Sequence, residues 1–293
     1  MPQIPELMNV RLLLSTLFIA FISTSCDSSK QTFLPDPERT EINIMLGNPS
    51  NASTDIINEN NYLISLPQMT LSYNRSRGIP NWVSWHLSED WLGNATRQDN
   101  FRPYEELPEG WYRVQPGDYE FAVNGFDRGH VCPSGDRTLT DVDNGATFFM
   151  VNIFPQAPIN NQDLWVKLED YCRKLVDEGN ELYIISGNYG EGGTGNKGYR
   201  EKIAGGKITV PRNLWKVILV LPYGEDDLKR ISENTRIIAI DVENKNSVGT
   251  TPWHRYRVSV NEIEAATGLD LFSEVPNTIQ AVIEAQVDQV VIN

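Results

Sequence analysis

Two stretches of the chain carry residue types that together could hydrolyse a phosphodiester bond. The first is Asp127-Arg128-Gly129-His130, followed by Pro133 and a polar run from Ser134 to Thr138. The second starts at Asn152-Ile153-Phe154-Pro155-Gln156 and continues, five residues after the glutamine, at Asn161, with Glu169 and Arg173 beyond it. A neutral histidine such as His130 takes a proton from water near neutral pH. A hard cation stabilises charge on a phosphate and on its departing oxygen. Mg²⁺ keeps most of its waters, so one amide oxygen suffices as its direct protein ligand. A guanidinium holds the five-coordinate phosphate. Taken singly, each residue also has a structural reading. His130 could be a loop histidine beside an ion pair, Asn161 a helix cap, and Glu169 with Arg173 a surface pair four residues apart.

These groups need a helix and strands to hold them. Leu164, Trp165, Leu168, Cys172, Leu175 and Val176 recur at helical spacing and predict a helix over residues 161–177. At about 100° per residue, Glu169 and Arg173 fall about 80° and 120° round from Asn161, beside the apolar stripe. One helix edge thus offers an amide, a carboxylate and a guanidinium. Strands are predicted at Trp82–Leu87, where apolar and polar residues alternate, and at the apolar runs 181–187, 215–221 and 236–240. A glycine-rich loop over 187–206 carries Lys197, Arg200 and Lys202, with Lys207 just beyond. Ser259 and Glu262 form a capping box for a helix that ends at Gly268. Ile279, Val282, Ile283 and Val287 predict a final amphipathic helix. No repeat or linker divides residues 61–293, which read as one α+β domain.

The formal charge of −14 weighs against non-specific binding to nucleic acid, which rests on Lys and Arg neutralising phosphates. A local basic funnel and a divalent cation are compatible with an acidic whole. Arg11, the uncharged stretch Leu12–Ile22 and the small residues Ser23-Thr24-Ser25 have the layout of a secretory signal over residues 1–25. Cys26 follows directly, as in a bacterial lipoprotein, where it would carry the lipid. Ordinary cleavage nearby is the alternative. Residues 26–60 are rich in Ser, Asn, Asp, Thr and Pro and read as a polar tether. The expected location is therefore periplasmic, cell-surface or secreted. Cys132 and Cys172 are expected as free thiols.

Together the stretches Asn81–Trp85, Arg97–Pro103, Asp127–His130, Asn152–Gln156 and Asn161–Arg173 closely resemble the DNA/RNA non-specific endonucleases with the ββα-metal (His-Me finger) site. This is the Serratia nuclease-like group, and the likeness is greatest to its cyanobacterial sugar-non-specific members. The resemblance runs from about Leu46 to the C-terminus. It implies a central antiparallel sheet flanked by helices, and cleavage of DNA and RNA to 5′-phosphorylated products. It further implies His130 as general base and Asn161 as the one direct protein ligand of Mg²⁺, with Mn²⁺ able to replace it. Glu169 would hydrogen-bond the metal's waters and help protonate the leaving oxygen. Arg97 would stabilise the transition-state phosphate, assisted by Arg128. Asp127, Asn152, Gln156 and Arg173 would support the hydrated metal from behind its waters. A protein inhibitor is a further expected partner, and the oligomeric state stays open. Cys132, so close to the motif, would add oxidation sensitivity. Two rival readings stand beside this one. One is a surface lipoprotein that only binds nucleic acid. The other is a zinc hydrolase using His86, His130, His254 and Cys132, whose spacing is unlike known zinc sites.

Overall fold

The computed structural model describes residues 1–3 and 37–292. The chain separates into two units, 1–34 and 35–293, and the second carries the fold. The expected signal and Cys26 lie outside the described residues.

The apolar runs become strands of one antiparallel sheet. β1 (Tyr62–Leu66), β2 (Met69–Asn74) and β3 (Ile79–Leu87) form a meander. β4 (Asp127–His130) and β5 (Ile153–Gln156) pair apart from it as a two-stranded ribbon, and β6 (Asn180–Tyr189) returns to lie beside β3. The glycine-rich stretch folds into two small hairpins, β7 (Gly193–Gly195) with β8 (Gly198–Arg200) and β9 (Lys202–Ile203) with β10 (Ile208–Thr209). β11 (Asn213–Pro222), β12 (Arg236–Glu243) and β13 (Arg257–Val258) complete the order β1-β2-β3-β6-β11-β12-β13.

Residues two apart share a face of a strand, and here both faces are covered. Val83, Trp85 and Leu87 of β3, Leu182 and Ile184 of β6, and Leu214 and Ile218 of β11 enter one core. Trp82, Tyr183, Ile185, Trp215, Val217 and Leu219 enter the other. The helices are α1 (Pro37–Ile42), α2 (Phe121–Asn124), α3 (Asp141–Ala146), α4 (Val166–Asp177), α5 (Asp227–Arg230), α6 (Val260–Thr267) and α7 (Asn277–Ile283). The first core takes the ribbon and the apolar stripe of α4. The second takes Val260 and Ile263 of α6 and Ile283 of α7.

Three expectations are corrected. Residues 37–60 do not behave as tether. Leu46 and Ala52 are buried in the second core, Asn43 donates to Leu66 O and Pro67 O, and Trp82 Nε1 donates to Ser50 Oγ at 2.8 Å. The polar residues that suggested a linker instead satisfy backbone and indole groups next to the sheet. The last helix stops at Ile283, short of Val287. The helix expected to run unbroken from Asn161 opens as a π segment, Asn160–Trp165, before α4 begins.

Asn152 is fully buried. Its Nδ2 donates to Cys132 O and Thr147 O, both at 2.9 Å, and its Oδ1 accepts from Cys132 N at 3.0 Å. Each arm of the amide is thus spent on backbone that runs out of β4 and into β5. Leaving such buried groups unpaired costs about 1–3 kcal/mol each. Asn152→Ala should therefore lower the unfolding free energy by about 3 kcal/mol, read by urea denaturation at pH 7. An unchanged urea midpoint would contradict this structural role.

Candidate active site

The β4–β5 ribbon and the front of the π segment converge on a cleft of about 780 Å³. Arg97, Asp127, Arg128, His130, Asn161, Glu169 and Arg173 all line it. Gln156 and Asn152 are fully buried and are absent from its lining. Of the residues that the resemblance assigns to the catalytic site, these two lie behind the cleft and the other seven line it.

Glycine is required at position 129. A Cβ there would lie 2.3 Å from Gln156 Oε1 and 2.6 Å from Gln156 Cβ. The bare backbone lets Gln156 pack against the motif, where its Nε2 donates to Asn160 Oδ1 at 2.8 Å and its Oε1 stays buried without a partner among the described residues. Gln156 thus joins the ribbon to the residue preceding Asn161.

Two phenyl rings set the surroundings of His130. Phe148 lies 4.7 Å and Phe101 5.2 Å from the imidazole, centroid to centroid. The guanidinium of Arg97 stacks 5.0 Å over Phe148, and that of Arg128 stacks 4.1 Å over Phe101. Arg97 is also held by Asp99 and by Ser134 Oγ. Burial first, then the positive charges of Arg97 and Arg128, push the His130 pKa down to about 3. The imidazole is therefore neutral across the physiological range, and its Nε2 is buried without a partner among the described residues. A neutral imidazole between two arginines can accept a proton while the arginines hold an anion next to it.

On the helix side, Asn161 Nδ2 donates to Asp127 Oδ2 at 2.9 Å, and Gln162 Nε2 donates to the same oxygen at 2.7 Å. A carboxylate only accepts, so Asp127 fixes the amide with its NH₂ inward and leaves Asn161 Oδ1 without a partner among the described residues. The i→i+5 turns of the π segment rotate less per residue than an α-helix, so the uniform helical arithmetic does not apply to Asn161. π segments recur at functional sites.

Glu169 lies deeper. Burial pushes its pKa up to about 7, opposed chiefly by Lys216, whose Nζ is 3.7 Å from Glu169 Oε1. Lys216 is 1% exposed, with its ammonium 5.3 Å from the Trp85 ring and 5.0 Å from the Trp165 ring. Arg173 donates to Asp136 Oδ1 at 2.7 Å and to Asp170 Oδ1 at 2.6 Å. Asp136 in turn accepts from Trp85 Nε1 at 3.0 Å. Lys216, Asp136 and Phe148 were not singled out from sequence. Only Lys216 carried a visible signal, a charge in the middle of an apolar strand run.

The cleft is not the basic funnel that an acidic chain seemed to need. Three arginines line it against four carboxylates, Asp99, Glu120, Asp127 and Glu169. A hard divalent cation suits such a donor set, with the unpartnered Asn161 Oδ1 as ligand and Glu169 close by. A zinc site built from His86, His130, His254 and Cys132 is not formed. Among the described residues, Glu264, Asp270 and Glu284 are the one group of three or more His, Cys, Asp or Glu side chains close enough to share an ion. His86 is instead bonded to Glu181 at 3.0 Å in the interior. Cys132 and Cys172 are both free and buried, each with its thiol pushed up to about 12 by burial. A protonated, enclosed thiol is inert, so Cys132 does not bring the oxidation sensitivity expected of it.

Two outcomes follow from these electrostatics. The folded His130 pKa lies below its unfolded value of about 6.5, so between those values the unfolded chain binds the extra proton. Stability is then complete above a pH of about 6.5 and falls as pH is lowered toward about 3. His130→Asn should flatten that part of the stability–pH curve measured by urea denaturation, and an identical slope in both proteins would contradict it. Lys216→Met removes the main cation opposing burial of Glu169. It should move the Glu169 titration upward from about 7, followed by NMR of ¹³C-labelled glutamate, and a downward or absent shift would refute the pairing.

Comparison with known proteins agrees with this geometry. Residues 47–278 match the family model described as DNA/RNA non-specific endonuclease. A nuclease of Nostoc sp. (strain PCC 7120) is 47% identical over 247 residues, covering 84% of this chain and 86% of that protein. Nuclease C1 of Cunninghamella echinulata is 29% identical, covering 79% of this chain and 87% of that one. A solved structure of an EndoG/EndoGI complex superposes with a TM-score of 0.67 at 24% identity, over 83% of this chain and 95% of its own, and shares the fold. With its seven-stranded antiparallel sheet and ββα-metal architecture, the chain belongs to the DNA/RNA non-specific endonuclease family, a family of metal-dependent phosphodiester hydrolases acting on nucleic acid.

Proposed function

We propose that the chain is a Mg²⁺-dependent, sugar-non-specific endonuclease that cuts DNA and RNA to 5′-phosphorylated products, with His130 as its general base. The observation that carries this reading is the unpartnered Nε2 of His130 in one cleft with Arg97, Arg128, Asn161 and Glu169. His130 removes a proton from water as the water oxygen bonds to phosphorus and the P–O3′ bond breaks. Arg97 and Arg128 hold the charge that gathers on the phosphate, their positions set by Phe148 and Phe101. Glu169, with its pKa raised to about 7, holds a proton at the pH where the leaving O3′ needs one and delivers it by way of water. Asp127 holds the Asn161 amide by its NH₂, which leaves Oδ1 as the atom free to ligate. Mg²⁺, or Mn²⁺ in its place, would be held by Asn161 Oδ1 and would stabilise negative charge on the phosphate and on O3′.

Arg173 acts through Asp136 and Gln156 through Asn160, both as positioning residues. A chain that only bound nucleic acid would gain nothing from a histidine kept neutral, and no observation favours that reading. Export, with lipid attachment at Cys26, belongs to the same proposal and is supported by the signal-like sequence before it. Mass and N-terminal sequence of the mature protein would test it, and an unmodified chain retaining Met1 would overturn it.

Purified protein should nick supercoiled plasmid and degrade RNA in Mg²⁺, and EDTA should stop both. His130→Ala should lose about 10²–10⁴-fold in rate while keeping the fold of wild type by circular dichroism. Asn161→Ala should raise the Mg²⁺ concentration needed for half-maximal rate more than it lowers stability. Cutting that ignores EDTA, or a His130→Ala variant as fast as wild type, would overturn the mechanism.

A further inference from the structure

On the side of the sheet away from the cleft, three carboxylates converge where α6, the turn after it and α7 meet. One oxygen each from Glu264, Asp270 and Glu284 lie within 4.8 Å of one another. Their existing contacts are few. Glu264 Oε1 accepts from Leu271 N at 2.8 Å, Asp270 Oδ1 accepts from Gln280 Nε2 at 3.2 Å, and Gln280 also interacts with the Glu284 carboxylate. None of the three pairs with a Lys, Arg or His among the described residues.

A second observation points to a ligand. Glu284 is 7% exposed, and its Oε1 is buried with no hydrogen-bond partner among the described residues. A buried carboxylate oxygen without a donor, on a side chain that meets two further carboxylates, is costly to hold unless a cation or a proton relieves it. Three carboxylate oxygens within 4.8 Å of one another suit calcium, which takes carboxylates in a flexible shell, better than magnesium, which demands a near-ideal octahedron and keeps most of its waters. Asp270 is exposed, which provides an entry path and room for the waters that complete about six to eight ligands.

We propose that Glu264, Asp270 and Glu284 form a second cation site, separate from the catalytic cleft, that takes Ca²⁺ and clamps α6, the turn after it and α7. Glu284 lies beyond residue 278, where the family match ends, so the site draws on a C-terminal segment outside that match.

Thermal unfolding of the chelator-stripped full chain at pH 8, with CaCl₂ added back, tests the site. Calcium at about ten times its dissociation constant should raise the midpoint by about 3–6 °C, and equimolar Mg²⁺ should raise it by less than half of that. Because the cleft also binds divalent ions, two variants assign the effect. Glu284→Gln should raise the calcium-free midpoint and abolish the calcium increment. Asp270→Asn, at an exposed position, should weaken calcium binding at least tenfold by calorimetric titration. If Glu284→Gln does not fold, the Asp270→Asn titration decides alone. No calcium increment in wild type, or one that persists unchanged in both variants, would overturn the proposal.

Discussion

A carboxylate cannot be laid on the apolar face of a sheet without a counter-charge, because stripping its water costs several kcal/mol. Glu169 on α4 is in that position, and Lys216 in the middle of β11 is the partner that makes it tolerable. Strand parity sends Lys216 to the same face as Leu214 and Ile218, beneath the helix, and the rings of Trp85 and Trp165 enclose its ammonium on either side. Trp85 also donates to Asp136, which holds Arg173 one turn further along α4. The rotation of α4 about its axis is thereby pinned at two points by polar contacts and not by apolar packing alone. Asn161 lies at the head of the same continuous helical segment, so its position follows from that rotation.

The cleft pushes its two proton-handling groups toward opposite roles by different means. Burial acts on both. It favours the neutral imidazole at His130, where Arg97 and Arg128 add to the effect. It favours the neutral acid at Glu169, where Lys216 and Arg173 work against it. Burial alone drives both groups toward their neutral forms, and the unequal placing of the four cations deepens that effect at His130 while holding Glu169 back to about 7. The aromatic rings matter here as rigid spacers. Phe101 and Phe148 fix the guanidinium groups by their faces, which leaves the N–H groups of Arg128, and those of Arg97 not spent on Asp99 and Ser134, available to an anion.

Much of this was legible in the chain because it depends on local periodicity. The four long strands, the helix bearing Glu169 and the capping box at Ser259 each announce themselves within a dozen residues. What stayed hidden depends on partners far apart in sequence. Asn152 looked like a metal-supporting amide, yet its hydrogen bonds go to Cys132 and Thr147 backbone, which composition cannot reveal. Residues 37–60 looked like a linker because Ser, Asn and Pro dominate them. The same side chains serve well as caps for edge backbone, and the buried Leu46 and Ala52, with Ile42 and Met45 packed against the same core, suffice to seat the segment. The π segment is invisible to a helical template of about 3.6 residues per turn, since it differs by a single residue of register.

The acidity of the chain has a different meaning at its two carboxylate-bearing sites. In the cleft, four carboxylates nearly cancel three arginines, so the protein alone offers a polyanion little net attraction. Grip on the phosphate and stabilisation of its transition state must then come largely from the same ion, which ties substrate affinity and rate to one concentration. Behind the sheet, three carboxylates have no such balance. An amide oxygen and water suit a small ion that keeps its hydration, whereas three converging carboxylates suit a larger ion that gives it up. Donor type therefore distinguishes the cation proposed for the cleft from the one proposed behind the sheet, so that binding of one need not displace the other.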